Sequence, residues 1–350
     1  MGCLFSRFFG SRQPLEEVED EKPVYSWDHR EKKNIKDYTI ENLDNETAGR
    51  LPGSVGGEQF IIKNCKDSSI YVFDHSATIS IDDCVNCNIF LGPVKTSVFI
   101  RDCKQCRLIV ACQQFRTRDC SKLDVFLCCD TQPIIEATHG LRVACFQYFY
   151  PELEAQFRAS GRSVFSNNWY NIHDFTPVPD ETNFSFLPED AKVEDYIPLP
   201  AADQFASMGI SIEPNKSVVP MTTGTRRKKS DESCLVIFFD DGSASHRALT
   251  VIRELKSNKT DCVLVQSKEV TLQPFEAQRV FGTDSYALAV QQGPVIGLEF
   301  NGEGVIAYCQ KVVVDLTKGT TGLVFVSQNL SSANQQIENF FSFAEMQMSM

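Results

Sequence analysis

The chain has 350 residues, 42% of them apolar and 23% charged, with no run of the roughly eighteen apolar residues that a membrane-spanning helix needs. Its 34 basic and 46 acidic residues leave a net charge of −12, which excludes a general affinity for nucleic acid, since that depends on neutralising phosphates with Lys and Arg. The length admits two ordinary domains, and the 14 cysteines fit free thiols in a reducing compartment better than a secreted disulfide framework, because the sequence opens Met-Gly-Cys with no leader.

Residues 1–24 are expected to form a lipidated flexible tail. Gly2, exposed once Met1 is removed, and Ser6 match the N-myristoylation pattern, and Cys3 beside them is a palmitoylation candidate. One acyl chain binds membranes marginally, whereas two make attachment lasting. Arg7 and Arg12 add little, and the acidic run Glu16 to Glu21 excludes a polybasic lipid-binding segment.

Residues 25–200 are expected to form a β-helix domain with a C-terminal extension. Cys65, Cys84, Cys103 and Cys120 form a column spaced 19, 19 and 17 residues, which Ala137 would continue. Three residues before each marker stand Ile62, Ile81, Ile100, Thr117 and Ile134, and five or seven after come Ile70 and Val72, Ile89 and Leu91, Leu108 and Val110, Val125 and Leu127. Such a coil cannot bury its apolar face alone, but stacked coils share one interior. The pattern predicts a right-handed parallel β-helix. Cys84-x2-Cys87 followed by Cys103-x2-Cys106 also has the spacing of a four-Cys zinc site. Its recurrence at the repeat period favours buried structural thiols over a metal, with zinc left as the alternative.

Residues alternating with the buried ones face outward. Four before the marker the column reads Ile61, Ser80, Phe99, Arg116, Pro133, and two before it reads Lys63, Asp82, Arg101, Arg118, Ile135. Arg116 and Arg118 therefore share one outer face with Arg101 a rung away, and Glu136 is expected beside Asp119, within reach of a guanidinium. Gln113 and Gln114 lie just upstream. A solvated face with ordinary charge ladders would carry the same residue types.

The run Cys112-Gln113-Gln114-Phe115-Arg116-Thr117-Arg118-Asp119-Cys120, set among Asp-Cys repeats, resembles the C-terminal β-helix domain of tubulin-folding cofactor C. The Met-Gly-Cys start, Asp74-His75-Ser76-Ala77-Thr78, Phe90-Leu91-Gly92-Pro93-Val94-Lys95 and Phe126-Leu127-Cys128-Cys129 extend a family resemblance over essentially the whole chain. That resemblance implies an activator of GTP hydrolysis acting on a GTP-bound Arf-like small GTPase, with Arg116 as the inserted arginine finger. It implies supporting roles for Gln113 and Glu136, nucleotide contacts from Ser97, Gln113, Gln114, Phe115 and Arg116, and a partner interface at Arg118 and Phe175. Thr96 departs from the small Gly expected beside Ser97. No cofactor of its own is implied, GTP and Mg being carried by the partner, and the setting implied is the cytoplasmic face of the plasma membrane, toward the ciliary base, in trafficking of lipidated proteins. A tubulin-folding role and a non-catalytic membrane scaffold are the alternatives.

After Phe175 the chain turns Pro-rich and polar, Lys216 to Ser233 carries Thr, Gly and the Arg226-Arg227-Lys228-Lys229 cluster, and residues 201–232 read as a linker. Residues 233–350 read as a second domain with strands at 234–239, 262–270, 295–300 and 322–326 and helices at 243–256, 274–281, 305–316 and 331–343. A ferredoxin-like βαββαβ sandwich is their natural assembly. Gly293-Pro294-Val295-Ile296-Gly297-Leu298-Glu299-Phe300 resembles a strand of nucleoside diphosphate kinases, but the position of their phosphorylated His falls at Phe325 or Val326. His246, the one His in this domain, is expected on a helix surface, so phosphotransfer lacks its nucleophile. A binding or scaffolding module is expected instead.

Overall fold

Asn and Asp recur at the corners of each coil, and in the computed structural model they hold the left-handed backbone conformation that these residues tolerate best. Residues 34–258, 261–318 and 322–349 are described, so Gly2, Cys3 and the expected tail lie outside them. Asn64 and Asp67, Asp83 and Asn86, Asp102 and Gln105, and Asp119 and Lys122 all have φ between 49° and 57°. Each pair turns the chain from one face of a parallel β-solenoid onto the next.

One face stacks Thr39–Glu41, Phe60–Lys63, Ile79–Asp82, Val94–Arg101, the second half of Arg107–Arg118, Ile134–Glu136 and His173–Asp174, with all neighbours parallel. The other stacks Thr47–Arg50, Ser69–Val72, Asn88–Leu91, the first half of Arg107–Arg118, Asp124–Cys129, Leu141–Cys145 and Phe184–Phe186. Isolated parallel bridges from Asp44 through Lys66, Val85, Lys104 and Ser121 to His139 form the third side.

The marker cysteines point inward and are buried. Each thiol closes on the carbonyl two residues back: Cys65 on Lys63 at 3.3 Å, Cys84 on Asp82 at 3.4 Å, Cys103 on Arg101 at 3.2 Å and Cys120 on Arg118 at 3.2 Å. Cys87 and Cys106 repeat this one corner later, where Ser68 does the same at 2.7 Å. The thiol thus satisfies a carbonyl while filling a small apolar volume. Among the described residues no group of three or more His, Cys, Asp or Glu is arranged to hold a metal ion.

The fifth coil departs from the expected register. Ala137 takes the left-handed corner position, φ 43°, that Asp119 holds in the coil before, so Thr138 and not Ala137 continues the cysteine column. Its hydroxyl lies 2.9 Å from that of Thr117 inside the solenoid. One extra residue in the turn after Cys129 produces the shift, and it exchanges the two isoleucines: Ile135 is fully buried and Ile134 faces outward.

The two faces are treated differently by the rest of the chain. Outward residues of the second face, among them Tyr71, Phe90, Ile109, Phe126 and Ala144, are buried under the helix Leu153–Ala159 and residues 187–219, in a cluster rich in stacked and edge-on aromatic pairs. The first face keeps a buried-exposed alternation and stays open to solvent. Function requiring contact with a partner therefore has one broad sheet face available.

The C-terminal sheet contains Ser233–Phe238, Val263–Val270, Val295–Asn301 and Val324–Val326, in spatial order second, third, first, fourth, with every neighbouring pair antiparallel. That is the order of a split βαβ sandwich, with a helix, Pro274–Phe281, added between the second and third strands. Helices Ala244–Asn258 and Val305–Thr317 contribute to one core and Pro274–Phe281 and Leu330–Ser349 to another.

Residues 201–232 connect the lobes and are themselves packed. Trp169 Nε1 donates to Thr222 Oγ1 at 2.9 Å, and the amides of Thr223 and Gly224 donate to Leu264 and Val265 at 3.0 and 2.8 Å. Gly224 is needed there, because its φ is +61° and a Cβ would lie 2.5 Å from the Tyr170 ring. Ser267 Oγ donates to the Phe165 carbonyl at 2.7 Å, and Tyr170 donates to Gln266 Oε1 at 2.7 Å, so the second sheet is fastened directly to the solenoid's extension.

Asp130 lies at this junction in an ion pair with Arg162, near the buried Lys268. Burial pushes its carboxyl up to about 6, against the smaller opposing pull of Arg162. The unfolded value is about 3.9, so the folded state holds a proton that the unfolded state has lost between these pH values. The resulting stabilisation is complete below pH ~4 and disappears as pH rises through about 6. Wild-type stability minus that of Asp130→Asn should therefore fall by about 2 kcal/mol from pH 4 to 6.5 in paired denaturant titrations. A difference that rises over that interval would contradict the assignment.

Candidate functional site

Arg107–Arg118 is a twelve-residue strand where other coils use two shorter strands. The spacing from Cys103 to Cys120 is two residues shorter than in the preceding coils, so no loop interrupts the corner and the strand runs round it near Cys112 and Gln113. On the adjacent rung Val94 pairs with Cys112 and Ser97 with Gln114, leaving Lys95 and Thr96 opposite Gln113 alone. This is a β-bulge, the device by which sheets re-aim side chains beside functional sites. Thr96 takes part in it: its hydroxyl donates to the Ala77 carbonyl at 2.8 Å and lies 2.6 Å from the Thr78 hydroxyl, tying the bulge to the previous rung.

Around this corner the sequence-predicted residues converge. Ser97 Oγ donates to Gln114 Oε1 at 3.3 Å. The Gln113 carbonyl accepts from the Thr131 amide and hydroxyl, both at 3.0 Å, which locks the strand to the following turn. Gln113 and Gln114 are half-buried, whereas Phe115 points into the core and is 1% exposed, so its backbone alone can meet a partner. Arg116 and Arg118 project outward and are exposed.

The three arginines of this face are not equivalent. Arg101 forms a two-pronged pair with Asp82 at 2.7 and 3.1 Å, which holds it still more firmly in the charged form. Arg118 lies 3.4 Å from Asp119 and beside Glu136 on the next rung. Arg116 makes no ion pair or side-chain hydrogen bond among the described residues, and its flanking partners are Phe99 and Ile134. Glu136 therefore neighbours Arg118, not Asp119 as expected, because of the one-residue shift in the fifth coil. An exposed guanidinium between two apolar neighbours is available to an anion brought by another molecule.

The same face continues past Ile134 to His173, whose ring meets Phe175 edge-on at 4.5 Å. Phe175 is 60% exposed, and its backbone N–H donates a hydrogen bond to the Ile135 carbonyl at 2.9 Å. Sequence reasoning named Phe175 but missed Ile134 and His173 as companions of Arg116. Only the outward phase of the fifth coil could have found them, and Ala137 disguised it. His246 is exposed on the helix Ala244–Asn258, and Phe325 and Val326 lie in the last strand.

Residues 57–175, which span all these features, match the Tubulin binding cofactor C family. Along its whole length the chain is 50% identical to Protein XRP2 of Gallus gallus and 51% identical to Protein XRP2 of Xenopus laevis, in each case covering all of both chains. Tubulin-specific chaperone C of Homo sapiens is 28% identical over 154 residues, 43% of this chain and 44% of that one.

Proposed function

Because the chain belongs to the XRP2 family and carries a tubulin binding cofactor C domain, we propose that it accelerates GTP hydrolysis on a GTP-bound Arf-like small GTPase, delivering Arg116 in trans. The observation that carries this reading is the exposed Arg116 guanidinium, without a carboxylate partner among the described residues, on the open face between Phe99 and Ile134. Phosphoryl transfer spreads negative charge over the γ-phosphoryl and leaving-group oxygens, and an arginine supplied by a partner stabilises it by roughly 10³ to 10⁵ in rate. Planar guanidinium can bridge two oxygens. GTP and Mg belong to the GTPase, so this chain needs no cofactor of its own. Ser97, Gln113, Gln114 and the Phe115 backbone would lie against the nucleotide end of the partner, while Arg118, Glu136 and Phe175 supply flanking contact. The C-terminal lobe is assigned a binding or scaffolding role with no kinase activity of its own.

A tubulin-cofactor role is the second reading, favoured by the domain match alone. Single-turnover hydrolysis with purified full-length chain separates the two: acceleration on a GTP-loaded Arf-like protein supports the first, and acceleration only on a tubulin complex supports the second. Complex formation without acceleration leaves a scaffold.

Acylation at Gly2 and Cys3 would place this activity on the cytoplasmic face of the plasma membrane, toward the ciliary base. Gly2→Ala should shift the protein from the membrane to the soluble fraction, because it removes the acceptor amine and the weak first attachment that brings Cys3 to the palmitoylating enzyme. Melting should be unchanged. An unaltered membrane fraction would sink the anchor assignment.

A further inference from the structure

The junction between the lobes holds a half-open cavity of about 620 Å³, within the range of sites that hold small organic ligands. Its walls come from the last long strand of the solenoid, the connecting segment, the helix Ala244–Asn258 and the strand Val263–Val270. Ala144, Trp169, Val219, Leu249, Leu264 and Phe300 give it an apolar interior. None of these residues belongs to the Arg116 face.

Two further features point to a ligand. Gln147, only 2% exposed, lines the cavity and donates through Nε2 to the Ala191 carbonyl at 3.2 Å, but its Oε1 is buried with no partner among the described residues. A buried acceptor left in this state costs about 1–3 kcal/mol, so a donor entering the cavity would relieve an existing penalty. The charges in the lining are Arg226, Arg253 and Lys256 against a single carboxylate, Glu189. That is a local excess of cations in a chain of net charge −12. Arg226 is half-buried, donates to the Leu187 carbonyl and lies over the Phe186 ring at 5.5 Å. Arg253 and Lys256 are exposed, with no ion pair among the described residues. Leu249, Ile252, Arg253 and Lys256 fall at i, i+3, i+4 and i+7 of one helix, so a single helical face offers apolar contact with two cations alongside.

We propose that this cavity is a binding site for a small organic anion with an apolar body and a hydrogen-bond donor. The apolar body lies against Trp169, Leu249 and Leu264, the anionic end meets Arg253 and Lys256, and the donor reaches Gln147 Oε1. Because both lobes and the connecting segment form the walls, occupancy would also fasten the lobes together.

The test uses 8-anilinonaphthalene-1-sulfonate, which combines fused aromatic rings, a sulfonate and an N–H, titrated by fluorescence into the full-length protein. One saturable site per chain is expected. Arg253→Glu with Lys256→Glu, both at exposed positions, should weaken it about tenfold with an unchanged melting curve. Ile252→Trp, which projects an indole toward the same space from a half-buried position, should weaken it at least as much. Unsaturable binding at many sites, or equal affinity in wild type and the charge-reversed protein, would mean surface adsorption and would overturn the proposal. GTPase activation is read separately, so failure here leaves the Arg116 assignment untouched, and the converse holds.

Discussion

Cys84→Tyr is expected to leave the solenoid without a cooperative folded state. Cys84 is fully buried, and its surroundings are committed on every side: its thiol closes on the Asp82 carbonyl, its amide donates to Cys103 Sγ at 3.4 Å, and its carbonyl accepts from Cys106 Sγ at 3.4 Å. Coils above and below stack at about 4.8 Å, so a phenol ring cannot enter without displacing Cys65 or Cys103 and parting the ladder. Its hydroxyl would also lack a partner. Overpacking together with a buried unpaired polar group costs several kcal/mol, comparable with the roughly 5–15 kcal/mol that holds a whole domain. Cys87→Ser should be mild by comparison, because Ser68 already fills the matching corner one coil earlier and bonds the equivalent carbonyl. Thermal melts of the two variants test this together, and a wild-type transition in Cys84→Tyr would contradict the inward assignment.

The solenoid is legible in sequence because two chemistries repeat at one phase: thiols that cap carbonyls inside, and Asn or Asp at left-handed corners. The fifth coil is not, since Ala137 occupies a corner where its side chain gives no signal and Thr138 replaces the marker cysteine. That one-residue slip moved Glu136 away from its actual neighbour, Arg118, and hid Ile134 beside Arg116. The covered second face was missed for another reason. Runs such as Asn88-Ile89-Phe90-Leu91 are apolar on both sides, which reports burial without naming what provides it. The packed state of residues 201–232 was equally hidden, because Pro, Thr and Gly composition says nothing about which backbone groups find partners such as Leu264 and Val265.

Arg116→Ala is expected to form the GTPase complex nearly as well as wild type and to lose almost all acceleration. The proposed contact area, from the Lys95–Thr96 bulge to Phe175, would be untouched by the substitution, and a finger guanidinium would act chiefly on charge that develops in the transition state. Such an interaction changes rate more than ground-state affinity. Arg116→Lys should fail as well, because an ammonium is a point charge and cannot span two oxygens. Arg118 provides the control: it projects from the same strand two residues on, is likewise exposed, and lies 3.4 Å from Asp119 with Glu136 paired to it on the next rung. The deciding measurement is single-turnover GTP hydrolysis by an Arf-like GTPase saturated with wild type, Arg116→Ala or Arg118→Ala. A finger predicts a loss of about 10³-fold or more for Arg116→Ala and a small loss for Arg118→Ala, whereas equal losses, or wild-type hydrolysis with Arg116→Ala, would contradict it.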